Sequence, residues 1–387
     1  MTVTPRRLAQ AGIVSAGLAV LAVVPPILLD TVIVPLVLAA VAVVLGIAAI
    51  RRGEGRLGGL ALFAASIGGL SGVLFANTDT ATVENIVTAG LFAATLRFAT
   101  PLVLGGLGGV VSERSGVTNI AIEGMMLMGC FWGFWASTET LSWPVGLAAA
   151  MTAGGFSALI HAFFSIHVGA NQIISGTAIN ILALGVTSFA NRSLIGSDGT
   201  PDVDRIPTLH LPGIADIPFF GDIIGDLNLM IWVMVVLVVL IWIFITRTPW
   251  GLRLRAVGEH PRAAGTVGID VYRVRYLAVV ASGMLAGMAG AFLSFGFGSS
   301  FNENMTAGRG FIALAAVVFG NWRPFGVLWA ALLFGFASAL GTALQTAAGV
   351  NATLVNALPY VFTLVALVGL VGRSTPPAAV GQPYRKQ

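Results

Sequence analysis

GGLGGVVSERSGVTNIAIEGMMLMG, residues 105–129, places one carboxylate, Glu123, inside a run that is otherwise apolar or small on both sides. A charged side chain within a bilayer is costly and turns toward a bundle interior or a watery cavity rather than toward lipid. The glycines of the stretch permit close helix approach, and Ser115-Gly116 reads as a turn between two such helices. A glutamate in this setting implies a polytopic helical bundle, and the rest of the chain has the composition of one.

Of 387 residues, 57% are hydrophobic and 9% are charged, against about 25% charged in an ordinary soluble domain. The mean hydropathy is +0.92. A bilayer-crossing helix needs roughly 20 mostly apolar residues. Such windows recur near residues 8–29, 32–50, 57–76, 85–110, 118–136, 143–166, 173–194, 228–246, 276–297, 308–320, 325–346 and 353–372. The fold class expected is therefore an all-α polytopic membrane protein of about ten to twelve transmembrane helices, at least one of them short or broken. The short one is the segment 308–320, which at about 1.5 Å per residue reaches only some 20 Å. Its Gly308-Arg309-Gly310 marks a break of the kind tolerated where backbone is enclosed by protein.

The net charge of +4 does not point to nucleic acid, because the basic residues sit in short connections between apolar segments. Arg6, Arg7, Arg51, Arg52, Arg56, Arg114, Arg323, Arg373 and the group Arg247, Arg253, Arg255, Arg262, Arg273 and Arg275 all fall on one side of an alternating topology. The positive-inside rule puts that side, and both termini, in the cytoplasm. Arg6-Arg7 is then a topology anchor before an uncleaved first span rather than an export signal. The loop 196–227 falls on the outer side with Asp198, Asp202, Asp204, Asp216, Asp222 and Asp226; it is a docking surface or simply a solvated loop. Cys130 is the only cysteine, so neither a disulfide framework nor a cysteine-based metal site can form within the chain.

Several polar residues lie within the apolar segments. Asn119 precedes Glu123 by four residues and shares its face if the helix begins at residue 118. Arg97 lies in the preceding span before Thr100-Pro101, a kink site. By helix rise its depth differs from that of Glu123 by only about 4 Å in a core of roughly 30 Å. Arg97 and Glu123 are therefore expected to pair or to share a polar network, either as structure or beside a solute pathway. In ANQIISGTAINILALGVTSFANRS, residues 170–193, Gln172, Gly176, Asn180, Thr187 and Asn191 recur at near-helical spacing, with Ser175 adjacent. The stripe reads either as interhelical hydrogen bonding, worth about 0.6 kcal/mol per bond, or as the hydrophilic wall of a passage for a polar solute. The stretch Glu259, His260, Pro261, Arg262, Ala263, Ala264 to Gly268 reads as a short amphipathic helix ended by glycine.

The only lysine is Lys386, so no phosphate-binding G-x-x-x-x-G-K-[ST] loop exists. The four histidines are dispersed without H-E-x-x-H spacing, and no G-x-S-x-G elbow occurs. These patterns support neither hydrolytic nor metal catalysis; the chain is expected to have no catalytic site, to bind no cofactor or metal, and to depend on another protein for any ATP chemistry.

Taken together, SERSGVTNIAIEGMMLMG at 112–129, ANQIISGTAIN at 170–180, WGLRLRAVGEHPRAAGTVGI at 250–269 and GRGFIALAAVVFGNWRPFG at 308–326 resemble the ABC importer permeases of the branched-chain amino acid and ribose class. Within that class the chain is similar to the simple-sugar and nucleoside group. The resemblance implies a type II importer permease-like bundle with a core at 85–372, an outer loop at 196–227 and a cytoplasmic coupling loop at 247–275. The N-terminal helices, 1–80, lie outside the matched motifs and are peripheral candidates, and 373–387 would be a cytoplasmic tail.

The resemblance further implies cytoplasmic ATPase subunits carrying ATP and Mg, a second permease subunit, identical or related, and an extracytoplasmic solute-binding lipoprotein, all at a bacterial cell membrane. Glu259 to Gly268 would be the coupling helix, although Arg262 stands where other ABC importers often carry glutamate. The pathway candidates are Arg97, Asn119, Glu123, Gln172, Ser175, Asn180, Thr187 and Asn191. A nucleoside or simple sugar is the solute implied. A branched-chain amino acid remains an alternative, as does an ion-coupled secondary transporter, which would show inverted repeats with broken helices.

Overall fold

The computed structural model describes residues 4–22, 33–75, 88–196, 203–217, 221–348 and 374–385. The chain divides into two compact units, one of Met1–Thr95 with Phe336–Ser374 and one of Leu96–Gly335 with Thr375–Gln387. Seven described helices are long and apolar enough to cross a membrane. The expected crossing at 353–372 lies outside the described residues.

In the first unit, α1 (Pro5–Leu21), α2 (Ile33–Arg51) and α3 (Gly55–Phe75) pack against one another in all three pairings. The buried residues are small: Ala16, Ala42 and Ala65 form the centre, and Ala9, Ala19, Ala49 and Ala61 surround it. A Cβ added to Gly12 would lie 2.9 Å from that of Ala61. Lipid tails are as apolar as leucine, so membrane helices gain by packing closely over small residues, and that is the pattern here.

The second unit is built on α4 (Ala89–Arg114), α5 (Ile122–Thr140), α6 (Trp143–Ala162, continued by a π-helical turn to Val168), α7 (Gln172–Ala190, continued likewise to Ile195) and α11 (Val271–Ala291, continued to Phe297). Helices α5, α6 and α11 form its tightest group. A Cβ on Gly129 of α5 would lie 2.5 Å from the Cα of Gly287 on α11, and one on Gly154 of α6 would lie 2.9 Å from the same atom. Between them come α8 (Leu229–Arg247) and the short α9 (Pro249–Glu259) and α10 (Pro261–Thr266). After α11 follow α12 (Arg309–Phe319) and α13 (Pro324–Ala348). Helix α12 has 11 residues, about 16 Å at 1.5 Å per residue, and is the short helix that the sequence predicts.

The described part of the acidic outer loop carries a small antiparallel ladder, β1 (Thr208–His210) with β2 (Asp226–Asn228), in register Thr208 opposite Asn228. It is tied to helix ends: the Asp204 carboxylate accepts the Trp143 N–H at 2.8 Å, and the Asn228 amide donates to the carbonyls of Ile206 and Gly296.

One expected boundary is wrong by several residues with consequence. Helix α5 starts at Ile122, not at residue 118, so Asn119 is not on a helix and does not share a face with Glu123. The reason is that residues 115–121 find hydrogen-bond partners on side chains of neighbouring helices, which removes the need for a helical ladder there.

Candidate functional site

The buried polar residues of the second unit collect around the connection between α4 and α5. Ser112, Ser115, Asn119, Glu123, His161, Ser165, Gln172, Ser175, Arg275 and Ser282 are all buried. An enclosed backbone amide or carbonyl without a partner costs about 1–3 kcal/mol. The structure meets that cost residue by residue. The Thr118 N–H donates to Gln172 Oε1 at 2.7 Å, and the Thr118 carbonyl lies 3.0 Å from His161 Nε2. Asn180 uses both ends of its amide, donating from Nδ2 to the Ile120 carbonyl at 3.0 Å and accepting the Gly124 N–H at 2.8 Å. Ser112 donates to the Val117 carbonyl, and Arg275 Nε donates to that of Ser115. Asn119 reaches in the other direction, to Ser282 Oγ on α11 at 2.9 Å.

The stripe on α7 therefore divides. Gln172 and Asn180 hold the non-helical backbone at 118–124, and Ser175 approaches it through His161, whose Nδ1 is 3.1 Å from the serine hydroxyl. Gly176 allows the close approach, since a Cβ there would lie 3.0 Å from the Ala121 nitrogen. Thr187 instead donates to the Ala183 carbonyl of its own helix, and Asn191 stands half-buried in the π-helical turn that ends α7. Three atoms of the cluster, Asn119 Oδ1, Gln172 Nε2 and Arg275 Nη2, are buried without a partner among the described residues.

Glu123 is 7% exposed, and its charge is met by backbone. Oε1 accepts the Gly308 N–H at 2.8 Å and Oε2 the Gly310 N–H at 2.6 Å, both at the start of α12. The first turn of a helix leaves amide donors without intrahelical partners and carries the positive end of the helix dipole, so a carboxylate there is doubly favoured. The fit leaves no room for a side chain: a Cβ on Gly310 would lie 2.5 Å from the Cα and N of Glu123. Gly308, at φ +84, supplies the left-handed residue from which the helix starts. Arg309 between them turns back to the carbonyls of Met305 and Thr306.

The expected pairing of Arg97 with Glu123 is thereby corrected. Both carboxylate oxygens are occupied by amides, and Arg97 is exposed on α4. Position along a helix does not specify the facing direction, and the nearer donors are main-chain groups 185 residues away in sequence.

The region predicted to couple forms two helices, not one. Thr248 caps α9 by accepting the Gly251 N–H, and Pro249 stands at its first position. His260, at φ −139, breaks the helix before Pro261 opens α10, and Gly268, at φ +84, follows it. Ala264 is buried, whereas His260, Arg262 and Ala263 are exposed and Pro261 is partly so. Glu259 accepts the Ala378 N–H at 3.2 Å. The end of α9 sits directly on the connection described above: Gly258 packs against the Arg114 carbonyl so closely that any Cβ would collide with it, and Gly116 N would be 3.4 Å away.

Two anchors escaped sequence reading. The Trp322 indole N–H donates to the Glu113 carboxylate and Arg114 Nε to the Trp322 carbonyl, which fastens the α4 end to the turn before α13. Arg275 is fully buried, donating to Ser115 and, at 3.1 Å, to the Gln382 carbonyl. Its signal in the sequence was available, since Arg275 stands beside an apolar run whose start was placed one residue too late at Tyr276 to include it.

The arrangement is a helical bundle with a short helix whose start is held by a carboxylate, and it contains no cluster of metal-ligating residues among those described. Residues 91–371 match the family described as "Branched-chain amino acid transport system / permease component". The chain is 42% identical to a guanosine ABC transporter permease protein of Bacillus subtilis, over 76% of this chain and 95% of that one. It is 33% identical to a nucleoside ABC transporter permease protein of Lactococcus lactis, over 76% and 96%. It is 40% identical to a putative glucose ABC transporter permease protein of Haloferax volcanii, over 72% and 85%. No solved structure matches. The permease-like bundle, the carboxylate-held half-helix and the match across the second unit agree, and the chain belongs to this family of multi-pass permease components.

Proposed function

We propose that the chain is the membrane-spanning permease subunit of an ATP-binding-cassette importer for nucleosides, with α10 as the coupling helix that seats on a cytoplasmic ATPase. The observation that carries the coupling role is the seat of α9 on Arg114 and Gly116 through Gly258. A displacement of α9 and α10 meets the backbone at 114–116, which continues into the segment clamped by Gln172 and Asn180 and then into Glu123 and the start of α12. ATPase closure thus has a packed, side-chain-free contact through which to act on a broken helix. The solute class rests on the guanosine and nucleoside permease relatives, with a sugar as the second reading from the glucose permease relative.

In this reading a second permease subunit completes the passage, an extracytoplasmic lipoprotein delivers the solute, both termini are cytoplasmic, and ATP and Mg bind only to the ATPase. Gln172, Ser175 and Asn180 shape the passage by holding its wall, while Arg97 and Asn191 offer polar groups at its edge. Uptake of radiolabelled guanosine, uridine and glucose by cells expressing the complete set of subunits tests it. Nucleoside uptake is expected to require the ATPase, to collapse on ATP depletion and to survive an ionophore. Uptake that persists without the ATPase and collapses with the ionophore would make the chain an ion-coupled transporter and end the proposal.

A further inference from the structure

The last described segment, residues 375–385, is fastened to α9, α10 and α11 along its length. The Ala379 N–H donates to the Gly258 carbonyl at 2.9 Å, and the Ala378 N–H donates to Glu259. Arg275 donates to the Gln382 carbonyl, and the Tyr272 hydroxyl donates to that of Tyr384 at 3.3 Å. The Tyr384 ring stands edge-on to Tyr272 with centroids 5.4 Å apart, and a Cβ on Gly265 of α10 would lie 2.8 Å from the Tyr384 hydroxyl. A segment rich in proline and glycine, which has little tendency to order by itself, is thus splinted against the proposed coupling element.

Two clefts flank this junction, of about 740 and about 720 Å³, and Arg262, Tyr384 and Arg385 line both. These three side chains stand between the two concavities, one from α10 and two from the C-terminal segment. Arg262 and Arg385 are exposed and make no ion pair among the described residues. Val267, just past α10, is an apolar side chain left 76% exposed. A ridge with two arginines, an aromatic ring, clefts on both sides and an uncovered apolar residue suits the concave face of a folded protein; aromatic and arginine side chains are the types enriched at such contacts.

We propose that residues 375–385 form half of the docking surface for the ATPase, which meets Arg262 and Arg385 with acidic side chains. The proposal rests on the reading of α10 as the coupling helix and extends it. Removing the segment would strip the Gly258 carbonyl and Glu259 of the amides they accept and the buried Arg275 guanidinium of one of its two acceptors, so truncation confounds docking with folding. Point changes at the exposed ridge avoid that difficulty.

Cys130 is buried and is the only native cysteine, so Arg262→Cys and Arg385→Cys each introduce one reachable thiol. Each variant, expressed with its ATPase in membranes, is treated with a thiol-to-amine cross-linker. Both are expected to yield a permease–ATPase adduct. Arg385→Glu is expected to retain about fivefold less ATPase on purification, the scale of one exposed charge pair, with the amount of permease in the membrane unchanged. An adduct from Arg262→Cys and none from Arg385→Cys would overturn the role of the tail and leave the coupling reading intact. A cross-link from Arg385→Cys to aminophospholipid in place of the ATPase would assign the tail to the membrane surface and overturn it too. No adduct from either position would overturn the coupling reading itself.

Discussion

Replacing Glu123 by glutamine separates the carboxylate clamp from a salt bridge to Arg97. The glutamate accepts two main-chain N–H groups, at 2.8 and 2.6 Å, while 7% exposed. Glutamine keeps one acceptor and turns an NH₂ toward the second amide, so one charge-assisted bond becomes neutral and one amide loses its partner. The first change costs about 1 kcal/mol and the second about 1–3 kcal/mol. Loss of the carboxylate from the positive end of α12 adds about 0.5–1 kcal/mol, for a total of about 2.5–5 kcal/mol. Thermal unfolding of the detergent-solubilised protein, followed by loss of monodisperse fluorescent fusion on gel filtration, reads that loss as a lowered midpoint. Arg97→Gln, an exposed change, is expected to shift stability by no more than about 0.5 kcal/mol. A wild-type midpoint for Glu123→Gln, or an equal loss for Arg97→Gln, would refute the clamp.

Gly310→Ala sets a Cβ 2.5 Å from the Glu123 backbone and is expected to cost about 1–3 kcal/mol through overpacking, read in the same unfolding assay. Asn180→Asp keeps the acceptor for the Gly124 N–H but loses the donor to Ile120, so it should destabilise less than Asn180→Leu, which strands both backbone groups and costs about 2–6 kcal/mol. Gly258→Ala forces α9 off the Arg114 carbonyl; ATP-dependent uptake is expected to fall by more than the ATPase retained on purification, because the exposed side chains of the docking surface are unchanged.

Composition alone made the chain a membrane bundle, and the short α12, the polar loop between Gly196 and Leu227 and the stop at Gly268 followed from local rules about proline, glycine and apolar length, whereas the break at His260-Pro261 did not. Glu123 was legible as a residue that must be compensated, because its cost in a bilayer does not depend on context. Its partner was not legible. Main-chain amides carry no sequence signature, and those at 308 and 310 are available only because α12 starts there. Asn119 was misplaced for the same reason: with partners on α6, α7 and α11, residues 115–121 escape the helical ladder that their apolar character would otherwise impose.

The α7 stripe shows the boundary most sharply. Periodicity gave Gln172, Ser175 and Asn180 a common face, which is a property of one helix and therefore of the sequence. Whether that face meets solute, lipid or another segment depends on what lies opposite, and the fold sets residues 118–124 there. The sequence by itself determined which groups needed partners: one carboxylate and a row of amides and hydroxyls in an apolar chain. Only the tertiary structure decided which partners they have, because hydrogen bonds are satisfied across distances of about 3 Å in space by groups that here lie more than a hundred residues apart along the chain.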